Sequence, residues 1–180
     1  MPETALITRV PEAERYIAHY RQRFDPSARR NVPAHVTILY PFMAPALIDA
    51  QVLESLARIA GSVPRFDYRL ARTERFPVAL YLAPDPGEPF SALTDGIFRA
   101  FPDYPPFDGK FATIVPHVTV AHGDEPLLCE LEVELRIALP GSGLPARCSE
   151  LVLIENSSGR WEQMHVFALG EPVPPDKPGA

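Results

Sequence analysis

A four-residue pattern of histidine, an apolar residue, threonine and an apolar residue occurs twice in this chain of 180 residues. The copies are His35-Val36-Thr37-Ile38 and His117-Val118-Thr119-Val120, and each lies in an apolar run typical of a β-strand. Because side chains alternate between the two faces of a strand, the histidine and threonine of each copy share one face. The repeat therefore predicts two equivalent strands and indicates an internally duplicated fold.

The remaining sequence predicts further strands and helices around these two strands. Residues 127–139 fit both an alternating strand and a helical stripe, and their composition of strong helix formers favours a helix. The order of elements predicts an α+β, bilobal fold with pseudo-two-fold symmetry, in which antiparallel sheets line a central cleft and helices lie outside. Residues 1–170 are expected to form this single domain, and the proline-rich residues 171–180 a disordered tail. The predicted helices are 11–24, 46–60 and 89–101, and the predicted further strands are 5–10, 66–73, 78–82, 150–154 and 164–169.

Charge is distributed unevenly along the chain. Residues 1–75 hold eleven arginines and eight acidic residues, whereas residues 76–180 hold six basic and fifteen acidic residues. Proteins that bind long nucleic acids normally have a strongly basic surface, so this balance favours a small ligand or the end of an RNA chain. The sequence shows no membrane-span pattern or signal peptide, and its two cysteines have no metal-ligand spacing. We therefore expect a cytoplasmic monomer without an obligate protein partner.

Two imidazoles and two hydroxyls suit chemistry on a phosphodiester. One imidazole accepts a proton from the nucleophile, the other donates one to the leaving oxygen, and the hydroxyls bind the phosphoryl oxygens. This chemistry requires no metal or other cofactor, and we expect none. A metal site of His35, His117 and His122 is conceivable, but no carboxylate spacing supports it.

The paired motifs resemble the signature of the two-histidine (2H) phosphoesterase superfamily, in particular its bacterial branch of 2′-5′ RNA ligase-like proteins, or RNA 2′,3′-cyclic phosphodiesterases. The resemblance spans about residues 5–170 and includes the segments 23–26, 35–42 and 159–161. It implies a bilobal fold with both motifs in a central cleft, and metal-independent opening of cyclic phosphates. By this resemblance His35 and His117 form the acid–base pair, and Thr37 and Thr119 bind the phosphate.

Six other residues are candidates for substrate binding. Tyr40, Phe42 and Phe76 could stack on a base, although aromatic residues beside strands often belong to the core. Arg72 and Arg75 could contact a phosphate or lie in solvent. Alternation places His122 on the face opposite His117, so it reaches the cleft only if a bend intervenes.

The leading hypothesis is hydrolysis of 2′,3′-cyclic phosphates on RNA ends or nucleotides, together with a reversible 2′-5′ RNA ligase activity. Two alternatives remain: the same chemistry on a small nucleotide metabolite, and a non-catalytic module that binds RNA or nucleotides. The sequence does not distinguish the acidic from the basic histidine.

Overall fold

The computed structural model describes residues 1–171. The predicted disordered tail, residues 171–180, lies outside the described residues except for Glu171. Two short 3₁₀ turns, Pro45–Leu47 and Pro106–Gly109, accompany the main elements. The helices are α1 (Pro11–Phe24), α2 (Pro26–Arg29), α3 (Ala50–Ser62), α4 (Glu88–Ala100) and α5 (Glu125–Ala138). The strands are β1 (Thr4–Arg9), β2 (His35–Leu39), β3 (Phe66–Phe76), β4 (Ala79–Asp85), β5 (Val118–His122), β6 (Leu144–Cys148), β7 (Glu150–Glu155) and β8 (Glu162–Ala168).

The strands form one antiparallel sheet in the order β6-β3-β4-β5-β2-β1-β7-β8. The two histidine strands, β2 and β5, are neighbours at its centre and pair at Val36 and Val118. Each is the innermost strand of a four-stranded half, and the half that contains β2 combines strands from both ends of the chain. This arrangement confirms the α+β fold with antiparallel strands, whereas the internal duplication stays a prediction.

The main hydrophobic core lies on the sheet face that points away from the two motif histidines. Val36, Ile38 and Val118 are at most 1 % exposed and belong to one apolar cluster with residues of α1, α3, α4 and α5. Aspartates cap two of these helices: Asp49 accepts a hydrogen bond from the Val52 amide at the start of α3, and Asp124 caps α5 in the same way. The histidines and threonines of the motifs project from the other face.

The ambiguous segment 127–139 is helical, as its composition favoured. Leu131 and Leu135 are buried, whereas Val133 and Ile137 are 60 % and 81 % exposed, so the alternating apolar residues do not share one face. The sequence pattern did not predict β6, whose five residues include Pro145. It is an edge strand, where a proline is tolerated because its missing N–H faces no partner strand. Within residues 1–171, no helix is long and apolar enough to cross a membrane.

Candidate active site

The two motifs meet in one array at the centre of the sheet. The antiparallel pairing of Val36 with Val118 sets the register, and extending it by one residue places each histidine opposite the threonine of the other motif. Directly opposed residues have Cβ atoms roughly 4.5–5.5 Å apart. All four side chains are half-buried on the open face. The two cross-strand pairs are His35 with Thr119 and Thr37 with His117.

Both histidine strands carry a β-bulge directly after the threonine. The extra residue is Ile38 in β2 and Val120 in β5, since the residues on either side of it pair with consecutive residues of the neighbouring strand. One extra residue shifts the alternation of side chains by one position. The third residue after each threonine therefore returns to the face of that threonine, and these residues are Tyr40 and His122.

His122 thus lies on the active-site face, because the bulge supplies the bend that simple alternation lacks. It pairs with Ala79 of the neighbouring strand β4, and a positive charge on its ring lowers the pKa of His117. Its Nδ1 atom is 4.0 Å from Oδ1 of the buried Asp25. In the sequence, this bulge appears only as two consecutive apolar residues, Val120 and Ala121, which are both buried in the structure. Such a pair does not reveal a bulge unless the strand register is known.

The two motif histidines have matching hydrogen bonds. Nδ1 of His35 donates to the carbonyl of Pro33 at 2.7 Å, and Nδ1 of His117 donates to the carbonyl of Val115 at 2.8 Å. A carbonyl oxygen only accepts, so in each neutral ring the proton is on Nδ1 and the lone pair is on Nε2. Each ring therefore has Nε2 free to exchange a proton with a ligand.

The surroundings favour the neutral form of both rings. Burial lowers the pKa of His35 to about 4, assisted by the charge of Arg21. Burial also lowers the pKa of His117, with a smaller contribution from His122. An anionic ligand stabilises an imidazolium, so a bound phosphate favours protonation of one ring.

Aromatic residues surround His117. Its ring meets Phe76 and Tyr81 edge-on at centroid distances of 5.1 and 5.4 Å, and these two rings stack on each other at 4.4 Å. The Tyr81 hydroxyl donates to Glu74 at 2.9 Å. A cavity of about 210 Å³ adjoins His117, and its walls also include Phe107 and Phe111. This side of the site is apolar and suited to a flat ring.

The side next to His35 is more polar. A cavity of about 240 Å³ contacts His35 and Thr37, and its walls include Tyr40, Trp161 and Arg30. The Tyr40 and Trp161 rings meet edge-on at 6.0 Å. Trp161 was predicted only as part of a segment that resembles the family, and Arg30 was not predicted to line the site. That Trp161 is the only tryptophan of the chain was the one available signal.

Two of the other predicted binding residues, Phe42 and Arg75, point away from the site. Phe42 was wrongly predicted to stack on a base: it is 5 % exposed and packs in the core against Phe101 and Tyr104, each at 5.3 Å. The Arg75 prediction is corrected by the alternation of β3, because Arg75 points to α5, where its Nε is 3.2 Å from Glu132. Arg72 shares the face of Phe76 and forms an exposed pair with Glu74 at 3.3 Å, so its contact with a phosphate stays a prediction.

Residues 1–171 contain no group of three or more histidine, cysteine, aspartate or glutamate side chains arranged to hold a metal ion. The three-histidine metal site considered from the sequence is therefore not formed by this part of the chain, although His35, His117 and His122 share one face of the sheet.

Comparison with known proteins links this geometry to one family. The family model of the 2′-5′ RNA ligase superfamily matches residues 10–160. A Bacillus pumilus protein named "Putative phosphoesterase" is 31 % identical over 160 residues, which cover 84 % of this chain and 88 % of that protein. A similarly named protein of Geobacillus kaustophilus is 28 % identical over 159 residues, or 84 % of this chain and 86 % of its own length.

Solved structures share the fold at low sequence identity. TT0787 of Thermus thermophilus has a TM-score of 0.61 and 18 % identity, covering 94 % of this chain and 100 % of its own. Escherichia coli LigT in its apo form has a TM-score of 0.59 and 17 % identity, covering 95 % of this chain and 99 % of its own. Each of these similarities covers at least 94 % of this chain, so the fold is shared over nearly its full length.

Proposed function

Because this chain belongs to the 2′-5′ RNA ligase superfamily, we propose that it hydrolyses 2′,3′-cyclic phosphates of RNA ends or nucleotides by two-histidine acid–base catalysis without a metal ion. Superfamily membership and the names of the relatives support phosphoesterase activity. The observation that carries the proposal is the array of two imidazoles with free Nε2 atoms and two threonine hydroxyls on one sheet face.

In the proposed reaction, one neutral Nε2 accepts a proton from water as the water oxygen forms a bond to phosphorus. The bond between phosphorus and O3′ breaks, and the second imidazole, in its protonated form, donates its Nε2 proton to O3′. The products are a 2′-phosphate and a free 3′-hydroxyl. Thr37 and Thr119 donate hydrogen bonds to the non-bridging oxygens, whose charge grows as the water attacks. Ligation is the same displacement, in which the 5′-hydroxyl of a second RNA end replaces water as the nucleophile and the P–O3′ bond breaks as before.

Two observations support a nucleotide-sized substrate. E. coli LigT has been crystallised with 3′-AMP and with NADP⁺, and both of these ligands are nucleotides. In this chain, each motif histidine has beside it a cavity with aromatic walls, and such walls bind bases by stacking.

The test is turnover in the presence of excess EDTA. Purified protein is offered nucleoside 2′,3′-cyclic monophosphates and oligonucleotides that end in a 2′,3′-cyclic phosphate. We expect both to yield 2′-phosphates at rates that EDTA does not change. Turnover of mononucleotides alone would favour a small nucleotide metabolite as substrate, in line with the formal net charge of −6. Tight binding of cyclic phosphates without any product would identify a non-catalytic binding module and contradict the proposal.

The pH dependence of kcat/KM should be bell-shaped and centred on the acidic side of neutrality. At sufficiently low pH both rings are protonated and no base is left, and His35 reaches this state only near pH 4. As pH rises toward neutrality both rings lose their protons, because burial holds both pKa values below the ordinary 6.5, and no acid is left. A profile measured with a cyclic mononucleotide checks this, and a rate that is still rising at pH 8 would contradict it.

Arg30 is expected to bind the substrate on the His35 side. It is exposed on the wall of that cavity, and within residues 1–171 no acidic side chain forms an ion pair with it. We expect Arg30→Ala to raise KM about tenfold, equivalent to about 1.4 kcal/mol, with little change in kcat. The matched control is Arg29→Ala, an exposed neighbour that does not line the cavity. Equal effects of the two substitutions would rule out a specific role for Arg30.

A further inference from the structure

A buried ion pair lies at the end of α1, close to the His35 motif. The side chains of Arg21 and Asp25 are each 2 % exposed, and Nη2 of Arg21 is 2.9 Å from Oδ2 of Asp25. The arginine Nε donates to the same carboxylate at 3.0 Å, and Nη2 also donates to the Ser27 hydroxyl at 3.1 Å. Desolvation makes a buried ion pair a poor source of stability, and an apolar pair of similar volume often serves as well. The location of the pair therefore calls for another explanation.

This ion pair holds the segment that leads into His35. Nη2 of Arg21 donates to the carbonyl of Val32 at 3.2 Å. On the other side of Pro33, the amide of Ala34 donates to Glu14 of α1 at 2.6 Å. Pro33 is thus held on both sides, and its carbonyl is the group that accepts the Nδ1 proton of His35.

The His117 motif has no equivalent support. Within residues 1–171, residues 111–116 form no hydrogen bond with another element, although Val115 supplies the carbonyl that orients His117. The ring of His117 is held by its aromatic contacts with Phe76 and Tyr81. The two motifs match in sequence but differ in what fixes their histidines.

We infer that Arg21 is a positioning residue for His35: with Asp25 as its counter-ion, it fixes the Pro33 carbonyl and thereby the Nδ1–H form of the His35 ring. This role rests on the proposed function, in which Nε2 of His35 takes part in the proton transfers of the hydrolytic step. The positive charge of Arg21 also opposes a second positive charge on His35 and so lowers the pKa of that ring, while Asp25 acts in the opposite direction.

The decisive variant is the double substitution Arg21→Met with Asp25→Asn. It removes both buried charges, and the amide oxygen of the substituted side chain can still accept a hydrogen bond from the Ser27 amide at the start of α2. The protonation and tautomer of each imidazole are followed by NMR of the ligand-free protein, and kcat and KM are measured with a cyclic mononucleotide. The control is Arg147→Met, which breaks the exposed pair of Arg147 with Asp67.

In the double variant, we expect His35 to lose its single Nδ1–H tautomer and to titrate at higher pH, while the His117 signals stay unchanged. The value of kcat should fall about ten- to a hundredfold, because small displacements of a catalytic group have effects of this size, with KM nearly constant. An unchanged His35 tautomer with full kcat would overturn the inference, as would equal disturbance of both histidines.

Asp25→Asn alone provides a second test if the double variant does not fold. It leaves the charge of Arg21 unbalanced, so His35 should titrate at lower pH than in the wild type, opposite to the double variant. If His35 titrates at the same pH in this variant as in the wild type, the inference is overturned. The NMR measurement needs no substrate, so the two failures can be told apart. Absence of activity on every cyclic phosphate would refute the proposed function, whereas an unchanged His35 tautomer and titration would refute the role of Arg21.

Discussion

Alanine at position 35 or at position 117 lowers kcat for a 2′,3′-cyclic phosphate about 10²–10⁴-fold, the usual contribution of a general acid or base. KM changes little, because the imidazole transfers a proton in the transition state and contributes little to binding the substrate. The reason lies in the geometry: each ring donates Nδ1–H to a backbone carbonyl and keeps Nε2 for the ligand.

The double variant His35→Ala with His117→Ala should be little slower than either single variant, since the two rings act as one unit and their effects do not add. His19→Ala and His165→Ala are matched controls, because neither residue lies in the two histidine strands, and both should retain full activity. Full activity of either single active-site variant would remove that histidine from the mechanism.

Removing one threonine hydroxyl has the next largest expected effect. Thr37→Val or Thr119→Val keeps the shape of the side chain but deletes the donor to a phosphoryl oxygen, and loss of one such donor costs about 10²–10³-fold in kcat. Because Thr37 lies opposite His117 and Thr119 opposite His35, each hydroxyl is placed beside the imidazole of the other motif.

The conservative variants Thr37→Ser and Thr119→Ser keep the hydroxyl and should recover most of the activity. Thermal unfolding of all four variants serves as the stability control. If the serine variants are as slow as the valine variants, the methyl group matters rather than the hydroxyl, and the role of the threonines in binding the phosphate is wrong.

The sequence was sufficient to predict the central part of this fold. Two copies of the same tetrad predicted two equivalent strands, and the structure places them side by side at the centre of the sheet. Helical spacing predicted α1 with its bounds, because Pro11 can begin a helix and Asp25-Pro26 ends it. These are local signals, carried by residues close together in the chain.

Features that depend on strand register could not be predicted in this way. The bulges at Ile38 and Val120 bring Tyr40 and His122 to the active-site face, and no local pattern marks them. Phe42 and Arg75 were misplaced for a related reason: which face of a strand or loop meets a helix is set by tertiary packing. The Arg21–Asp25 pair beneath His35 was overlooked because the spacing i, i+4 on a helix is also that of ordinary surface ion pairs.

The central claim is that His35 and His117 face one phosphate. NMR of the imidazole groups during titration with a nucleoside 2′-phosphate, the proposed product, tests it most directly. At one equivalent of ligand per chain, the Nε2 signals of both rings should shift together and at least one ring should gain a proton, while His19 and His165 stay unchanged. A shift confined to one of the two rings, or to neither, would contradict a shared site.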